Sequence, residues 1–149
     1  MAPSARDAIA IRPAVRTDCA FVYDLICDME NEELPYDEFT RIFAEQMADG
    51  RMLCLVAEED GERMGFINLR MERQLHHAAR IAEVMELVVI AGHRSQGVGA
   101  KLIEAACGAA RTAGCIQIEV ACKQHRSRAH AFYERQGFES THFKFCREL

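Results

Sequence analysis

The 149 residues suffice for about one domain with one core, and half of them are hydrophobic, which excludes a disordered chain. The formal net charge of −5 argues against nucleic acid as the main partner. No apolar run approaches the roughly 20 residues needed to span a bilayer, and the first seven residues form no apolar signal core, so no membrane partner and a cytoplasmic setting are expected.

Ile9 to Arg12 alternates and stops at Pro13, which predicts a short first strand. Thr17 is a candidate cap for a helix from Asp18, in which Phe21, Val22, Leu25, Ile26 and Met29 form one apolar stripe. The acidic stretch Glu30–Glu33 and Pro35 end that helix, and a second is expected from Asp37 to about Ala48 with Phe39, Ile42, Phe43 and Met47 inward. Met52–Glu58 and Arg63–Arg70 read as strands, with Asp60-Gly61 between them as a hairpin signal. Met71–Arg80 reads as a polar loop carrying His76 and His77.

Val84–Ile90 is a β-branched and apolar run that reads as a buried strand. A turn at Ala91–Gln96 and the sequence Gly97-Val98-Gly99 follow, then a helix with Val98, Leu102, Ile103, Ala106 and Ala110 on one face and Gly114 as its stop. Ile116–Ala121 is the next strand and Lys123–Arg128 a basic loop. Ser127 is a candidate cap for a short helix through Gln136, and Phe138–Phe145 is expected as a last strand with Thr141, Phe143 and Phe145 alternating. The order βααβββαβαβ predicts a single α/β (α+β) domain over residues 1–149, with a mixed, mostly antiparallel sheet flanked by helices. Near the crossover, adjacent parallel strands can splay and leave a groove. The seven cysteines include no Cys-x-x-Cys pair and read as small reduced hydrophobes rather than disulfides or zinc ligands.

Strand, glycine turn and helix together aim unpaired N–H groups and the positive helix end at an anion. Gly97 and Gly99 lack Cβ atoms, so a phosphate can approach the backbone closely. The turn is neither a Walker loop nor a dinucleotide fingerprint. Arg94-x-x-Gly97-x-Gly99, directly after Leu87-Val88-Val89, resembles the acyl-CoA pyrophosphate loop of the GNAT-type N-acetyltransferase superfamily. Ala129-His130-Ala131-Phe132-Tyr133-Glu134-Arg135-Gln136-Gly137-Phe138 is similar to that superfamily's Ala-x-x-Phe-Tyr-x-x-x-Gly-Phe segment, which carries a tyrosine beside the thioester sulfur. Gly99 and Tyr133 stand 34 positions apart, and the resemblance runs from Ile9 to the C-terminus.

A narrower resemblance is to the bacterial aminoalkylphosphonate N-acetyltransferases. It rests on His76-His77 followed by Ile81-x-Glu83-x-x-Glu86-Leu87-Val88-Val89, on Lys123-x-His125, Ala129-His130 and His142-Phe143-x-Phe145, and on Val22-Tyr23-x-Leu25-Ile26-Cys27. It implies an enzyme that uses acetyl-CoA to acetylate the primary amine of small aminoalkylphosphonates such as aminomethyl- or aminoethylphosphonate, stimulated by a divalent metal ion.

Acyl transfer to an amine sets what the residues must supply. For the diphosphate, the backbone from Arg94, Ser95 and Gln96 through Gly97, Val98, Gly99 and Ala100 offers donors, with Arg94 or Lys101 as charge partners. The strand edge at Leu87, Val88 and Val89 can pair with the pantetheine amides. The amine arrives as an ammonium, so a carboxylate must take its proton. Glu83 and Glu86 are the candidates; strict alternation puts them on opposite faces, and a bulge, which the superfamily tends to have in this strand, would change that. Glu86 is the expected base and Glu83 a substrate or metal contact.

Tyr133, near the start of a helix, is the expected acid for the leaving thiolate. The phosphonate needs cations or a metal: His76, His77, Lys123 and His125 are the substrate candidates, with Arg126 and Arg128 nearby, and His76, His77 and Glu83 the metal set. His130 and His142 read as packed polar residues. Two alternatives stay open. Another amine (an aminoglycoside, polyamine, amino acid or protein N-terminus) would favour the acidic link Glu30–Glu38. A non-catalytic acyl-CoA sensor would have no need of Glu86 or Tyr133. Sheet edges in small domains often pair, which makes a homodimer an expectation.

Overall fold

The computed structural model describes residues 8–93 and 97–149. Its one sheet holds five strands in the order β1-β2-β3-β4-β5: β1 Ala10–Pro13, β2 Met52–Glu59, β3 Glu62–Gln74, β4 Ala79–Val89 and β5 Cys115–Val120. The first four run antiparallel to their neighbours, and β5 lies parallel to β4 after a crossover through α3, Val98–Thr112. Helices α1 (Cys19–Glu30) and α2 (Tyr36–Ala48) precede β2, and α4 (Ser127–Arg135) follows β5. The mixed, mostly antiparallel sheet flanked by helices is the architecture expected from the sequence.

Alternation along the strands divides the core into two layers. Leu55, Ala57, Ile67, Leu69, Met71, Ala82 and Val84 meet the face of α3 made by Val98, Leu102, Ile103, Ala106 and Ala110. Cys54, Val56, Phe66 and Val88 point the other way and meet Val22, Leu25 and Ile26 of α1 and Phe43 of α2. Ile42, expected inward, is 41% exposed. The β2–β3 connection is Asp60-Gly61 with φ of 51° and 78°, the doubly left-handed turn that an Asp-Gly pair favours. All seven cysteines are free; Cys19 and Cys54 are buried and Cys146 is exposed.

Asp18 rather than Thr17 organises the entry to α1. Its carboxylate is 1% exposed, accepts the Val15 N–H at 2.7 Å and pairs with Arg12 at 2.8 and 3.0 Å. The Arg12 guanidinium, helped by that N–H and by Arg63, holds the carboxyl down at about 2 against the cost of burial.

Two stretches depart from the expected elements. Met71–Arg80 is not a loop: β3 runs to Gln74, β4 begins at Ala79, and only Leu75–Ala78 turns. Its polar residues sit on the solvent side of a half-buried ribbon, which lowers mean hydropathy without removing the ladder. Phe138–Phe145 forms no strand. A strand needs a neighbour, and among the described residues this segment has none; past Phe138, which packs on the core, it lies exposed, with Phe143 82% and Phe145 93% accessible.

One irregularity positions the site. On β3 and β4 the rungs run Ile67–Leu87 and Asn68–Glu86, then step to Leu69–Val84, so Met85 is an extra residue bulged out of β4. Arg70 pairs with Glu83 one rung further on. Asn68 and Arg70 share a face of β3, so the bulge brings Glu83 and Glu86 onto that same face. Strict alternation would separate them.

Candidate active site

The end of β4 is the frame. β5 stops at Val120, opposite Val84, while β4 continues to Val89, so among the described residues Met85–Val89 has no strand on the β5 side. The glycine turn begins beyond this free edge. Gly97 has φ of 80°, a left-handed conformation costly for any other residue, and its carbonyl accepts the Lys101 N–H as α3 starts. The first N–H groups of a helix lack intrahelical acceptors, so those of Val98, Gly99 and Ala100 remain as donors for a ligand.

Gly99 is small for a second reason. A Cβ built there would lie 3.2 Å from Phe132 Cζ and 3.9 Å from Val89 Cγ2. The start of α3, the end of β4 and α4 therefore meet at one point, and Tyr133 is the next residue on α4. Its ring packs edge-on against Phe132 and Phe138, with centroids 5.3 and 5.6 Å away. Burial pushes its hydroxyl up to about 12, the Cys122 thiol adding to the shift and Arg126 opposing it, so Tyr133 keeps its proton across the neutral range.

Glu86 occupies the free-edge segment on the α1/α2 side. Its carboxyl is raised above the usual glutamate range, first by burial and further by the charge of Glu30, while a hydrogen bond from Asn68 works against the shift. Among the described residues its Oε2 is buried without a hydrogen-bond partner. A buried acceptor of this kind is costly unless something fills it, and a protonated amine or a water would. The neighbouring Cys54 thiol is pushed up to about 11 by burial and by Glu86.

Glu30, at the end of α1, ties the far side of the notch together. Lys123 Nζ lies 3.2 Å and Arg126 Nη2 3.9 Å from its carboxylate, and Arg126 also donates to the Met29 carbonyl at 3.3 Å. The β5–α4 loop is thus anchored on α1, with His130 Nε2 2.9 Å from the Lys123 carbonyl. His125 is exposed on that loop. His142 is exposed as well, beside Thr141 Oγ1 at 2.6 Å, rather than packed.

Several expected site residues lie elsewhere. Arg94, Ser95 and Gln96 fall outside the described residues. Lys101 turns away from the glycine turn, its Nζ donating to the Ile9 carbonyl at 3.0 Å. His76 and His77 stack at 4.1 Å in the β3–β4 turn, where His77 Nδ1 meets Gln74 Oε1 at 2.9 Å. Six residues of β4 separate Ala79, where the strand leaves that turn, from Glu86, about 20 Å of strand. Glu83 lies between them and pairs with Arg70 at 3.0 Å. The set His76, His77 and Glu83 therefore does not converge, and no cluster of three metal-ligating side chains occurs among the described residues. Those three residues do not fit a metal site. Adjacency in sequence suggested a loop near the chemistry; the long β3–β4 ribbon carries the pair to the opposite end of the sheet.

The notch is open-sided. The surface hollows of about 490 and 290 Å³ lie away from it, one beside Arg73–Arg80 and the end of α3, the other between β1 and Lys101.

Residues 19–138 match the Acetyltransferase (GNAT) family. The chain belongs to that family. Acetyl-CoA is accordingly its cosubstrate, and the chain is an N-acetyltransferase. It is 38% identical over 139 residues, 93% of its length, to the aminoalkylphosphonate N-acetyltransferase of Salmonella typhimurium, of which it covers 90%. In fold it resembles a solved structure described as a transcriptional regulator from Bacillus halodurans C-125, with a TM-score of 0.87 and 24% identity over 95% of this chain and 99% of that one. It also resembles glucosamine-6-phosphate N-acetyltransferase from Arabidopsis thaliana, with a TM-score of 0.78 and 20% identity over 94% and 97% of the chains. In this GNAT enzyme, Glu30, Asn68 and Phe132 border the notch without having stood out as site residues in the sequence. Phe132 is marked only as part of the Phe132-Tyr133 segment and Glu30 only as part of the acidic link; Asn68 carries a signal of its own, because a lone amide inside the apolar run Phe66-Ile67-Asn68-Leu69 must find buried partners.

Proposed function

We propose that this enzyme acetylates the primary amine of small aminoalkylphosphonates, acting as a single domain over residues 1–149. The observation that carries the chemistry is Glu86: a carboxyl of raised proton affinity, with one buried oxygen unpartnered, inside the strand segment whose edge is free. The substrate class is supported by the Salmonella relative.

Acetyl-CoA lies with its diphosphate on the amides of Gly97–Ala100, joined by Arg94, Ser95 and Gln96, and its pantetheine along Leu87–Val89. The ammonium gives a proton to Glu86, directly or through a water. The freed amine attacks the thioester carbonyl, a C–N bond forms, and the tetrahedral adduct collapses with loss of the C–S bond. As the C–S bond breaks, Tyr133 gives its proton to the departing sulfur, which leaves as the thiol; the adduct nitrogen sheds its extra proton to solvent, from which Tyr133 is reprotonated, and Glu86 releases its own to solvent. Lys123 and His125 take the phosphonate, Lys123 exchanging Glu30 for the substrate anion. Glu83, paired with Arg70, borders the amine from the same face as Glu86. His76 and His77 have no part in this scheme, and no step is routed through a metal.

Because Lys123 and Arg126 already occupy Glu30, the acidic link loses its innermost charge as a seat for a polycation. Seven free thiols suit a reducing, cytoplasmic setting. A homodimer is supported by β5, whose outer edge has no neighbouring strand among the described residues, together with the exposed alternating segment Thr141–Phe145.

Thiol release from acetyl-CoA with a panel of amines tests the substrate reading. Aminomethyl- and aminoethylphosphonate are expected to exceed a polyamine or an aminoglycoside by at least about tenfold in kcat/KM, a difference of about 1.4 kcal/mol. A parallel series with chelator reads separately any metal carried by the phosphonate. Equal rates for all amines would contradict the assignment.

A further inference from the structure

The bulge that turns Glu83 and Glu86 to one face has a specific fastener. Asn68 is 3% exposed, and its Oδ1 accepts the Glu86 N–H at 2.7 Å while its Nδ2 donates to Gln46 Oε1 of α2 at 3.0 Å. The amide's orientation is forced, because a backbone N–H only donates and must face the oxygen. We propose that Asn68 is a positioning residue for the reaction: it clamps the Met85 bulge and links it to α2, fixing where the Glu86 carboxylate stands. This inference rests on Glu86 being the base.

The physical argument is one of register. A β-strand side chain changes face with every residue, so the extra residue at Met85 must stay out of the ladder for both glutamates to share a face. Backbone pairing alone offers the competing arrangement, in which the bulge migrates and Glu86 turns away. A side-chain acceptor that reaches the Glu86 N–H at the bulged rung favours the observed register. Its second bond, to Gln46, holds the amide plane against rotation and leaves no buried polar group orphaned.

Asn68 also sets the electrostatics. Glu30 of α1, the Cys54 thiol of β2 and Asn68 of β3 act on Glu86 directly; Gln46 of α2 reaches it through Asn68, and the register puts Arg70 and Glu83, paired with each other, on the same face of the sheet. Against the charge of Glu30, a neutral amide that donates offsets the carboxylate's charge without an ion pair. An aspartate there could still accept from the Glu86 N–H. It could not donate to Gln46, and it would set a second anion against the base.

The test compares Asn68→Asp, Gln46→Leu and Glu86→Gln in the full chain by pH profiles of kcat and kcat/KM, with thermal melting as a folding control. Asn68→Asp is expected to move the acid limb of kcat/KM upward by about one pH unit and lower kcat about 10-fold to 100-fold at neutral pH, with KM for acetyl-CoA within about twofold. Gln46→Leu adds no charge and should lower kcat several-fold without moving the limb. A folded Asn68→Asp variant with wild-type kcat and limb overturns the proposal. If that variant does not fold, an unchanged kcat in Gln46→Leu overturns it instead. Glu86→Gln separates the two levels: wild-type activity there removes the base itself, whereas a slow Glu86→Gln beside an unshifted Asn68→Asp removes only the clamp.

Discussion

Glu86→Gln is expected to lower kcat/KM at neutral pH by on the order of 10²–10⁴, the usual contribution of a positioned proton acceptor. The substitution keeps the size and the hydrogen-bonding oxygen of the side chain but cannot take a proton. The two enzymes should also differ in shape against pH. In the parent enzyme the ammonium form of the substrate is used, so kcat/KM rises only until Glu86 is ionised. Its carboxyl is raised by burial and by Glu30, so this acid limb should stand above the ordinary glutamate range. In the variant only amine already free in solution reacts. Its kcat/KM should climb about tenfold per pH unit toward the amine's own pKa and narrow the gap at high pH. A loss that is constant across pH would make Glu86 a packing group; no loss would make another residue the base.

Gly97→Val is the second large effect expected. Gly97 sits at φ of 80°, and a β-branched residue there is strained by about 1–3 kcal/mol. The strain opposes the left-handed turn that leaves the first amides of α3 directed at the diphosphate, and it is expected to weaken coenzyme binding. Acetyl-CoA should therefore bind about 5-fold to 150-fold more weakly, measured by calorimetric titration, with the melting temperature as control. Gly99 makes the contrast. It has no left-handed φ, and the nearest obstacle to a Cβ is the Phe132 ring at 3.2 Å, so Gly99→Ala should disturb α4 and Tyr133, hence kcat, more than coenzyme affinity. Wild-type affinity in Gly97→Val would remove the turn from the coenzyme site.

The fold was legible where periodicity is strong. The five-residue apolar face of α3 is 0–4% exposed as read, and Asp60-Gly61 forms the predicted turn. What the sequence hid are features that exist only between strands. The Met85 bulge is a property of the β3–β4 register; alternation alone separates Glu83 from Glu86, and the superfamily resemblance supplied the hint that it would not hold. Polar residues in Met71–Arg80 masked a ribbon wetted on one side, and that masking carried His76 and His77 into the wrong neighbourhood. The Thr141–Phe145 alternation is a strand pattern without a partner strand.

One coenzyme molecule lying across both the free β4 edge and the glycine turn would shield both stretches of backbone at once. Backbone hydrogen exchange of the full chain, with and without coenzyme A, reads this most directly. Slowed exchange is expected in two separate stretches, Leu87–Val89 and Val98–Ala100, from the same titration and with the same midpoint. Protection of neither stretch at saturating coenzyme, or protection confined to the hollow beside Arg73–Arg80, would contradict it.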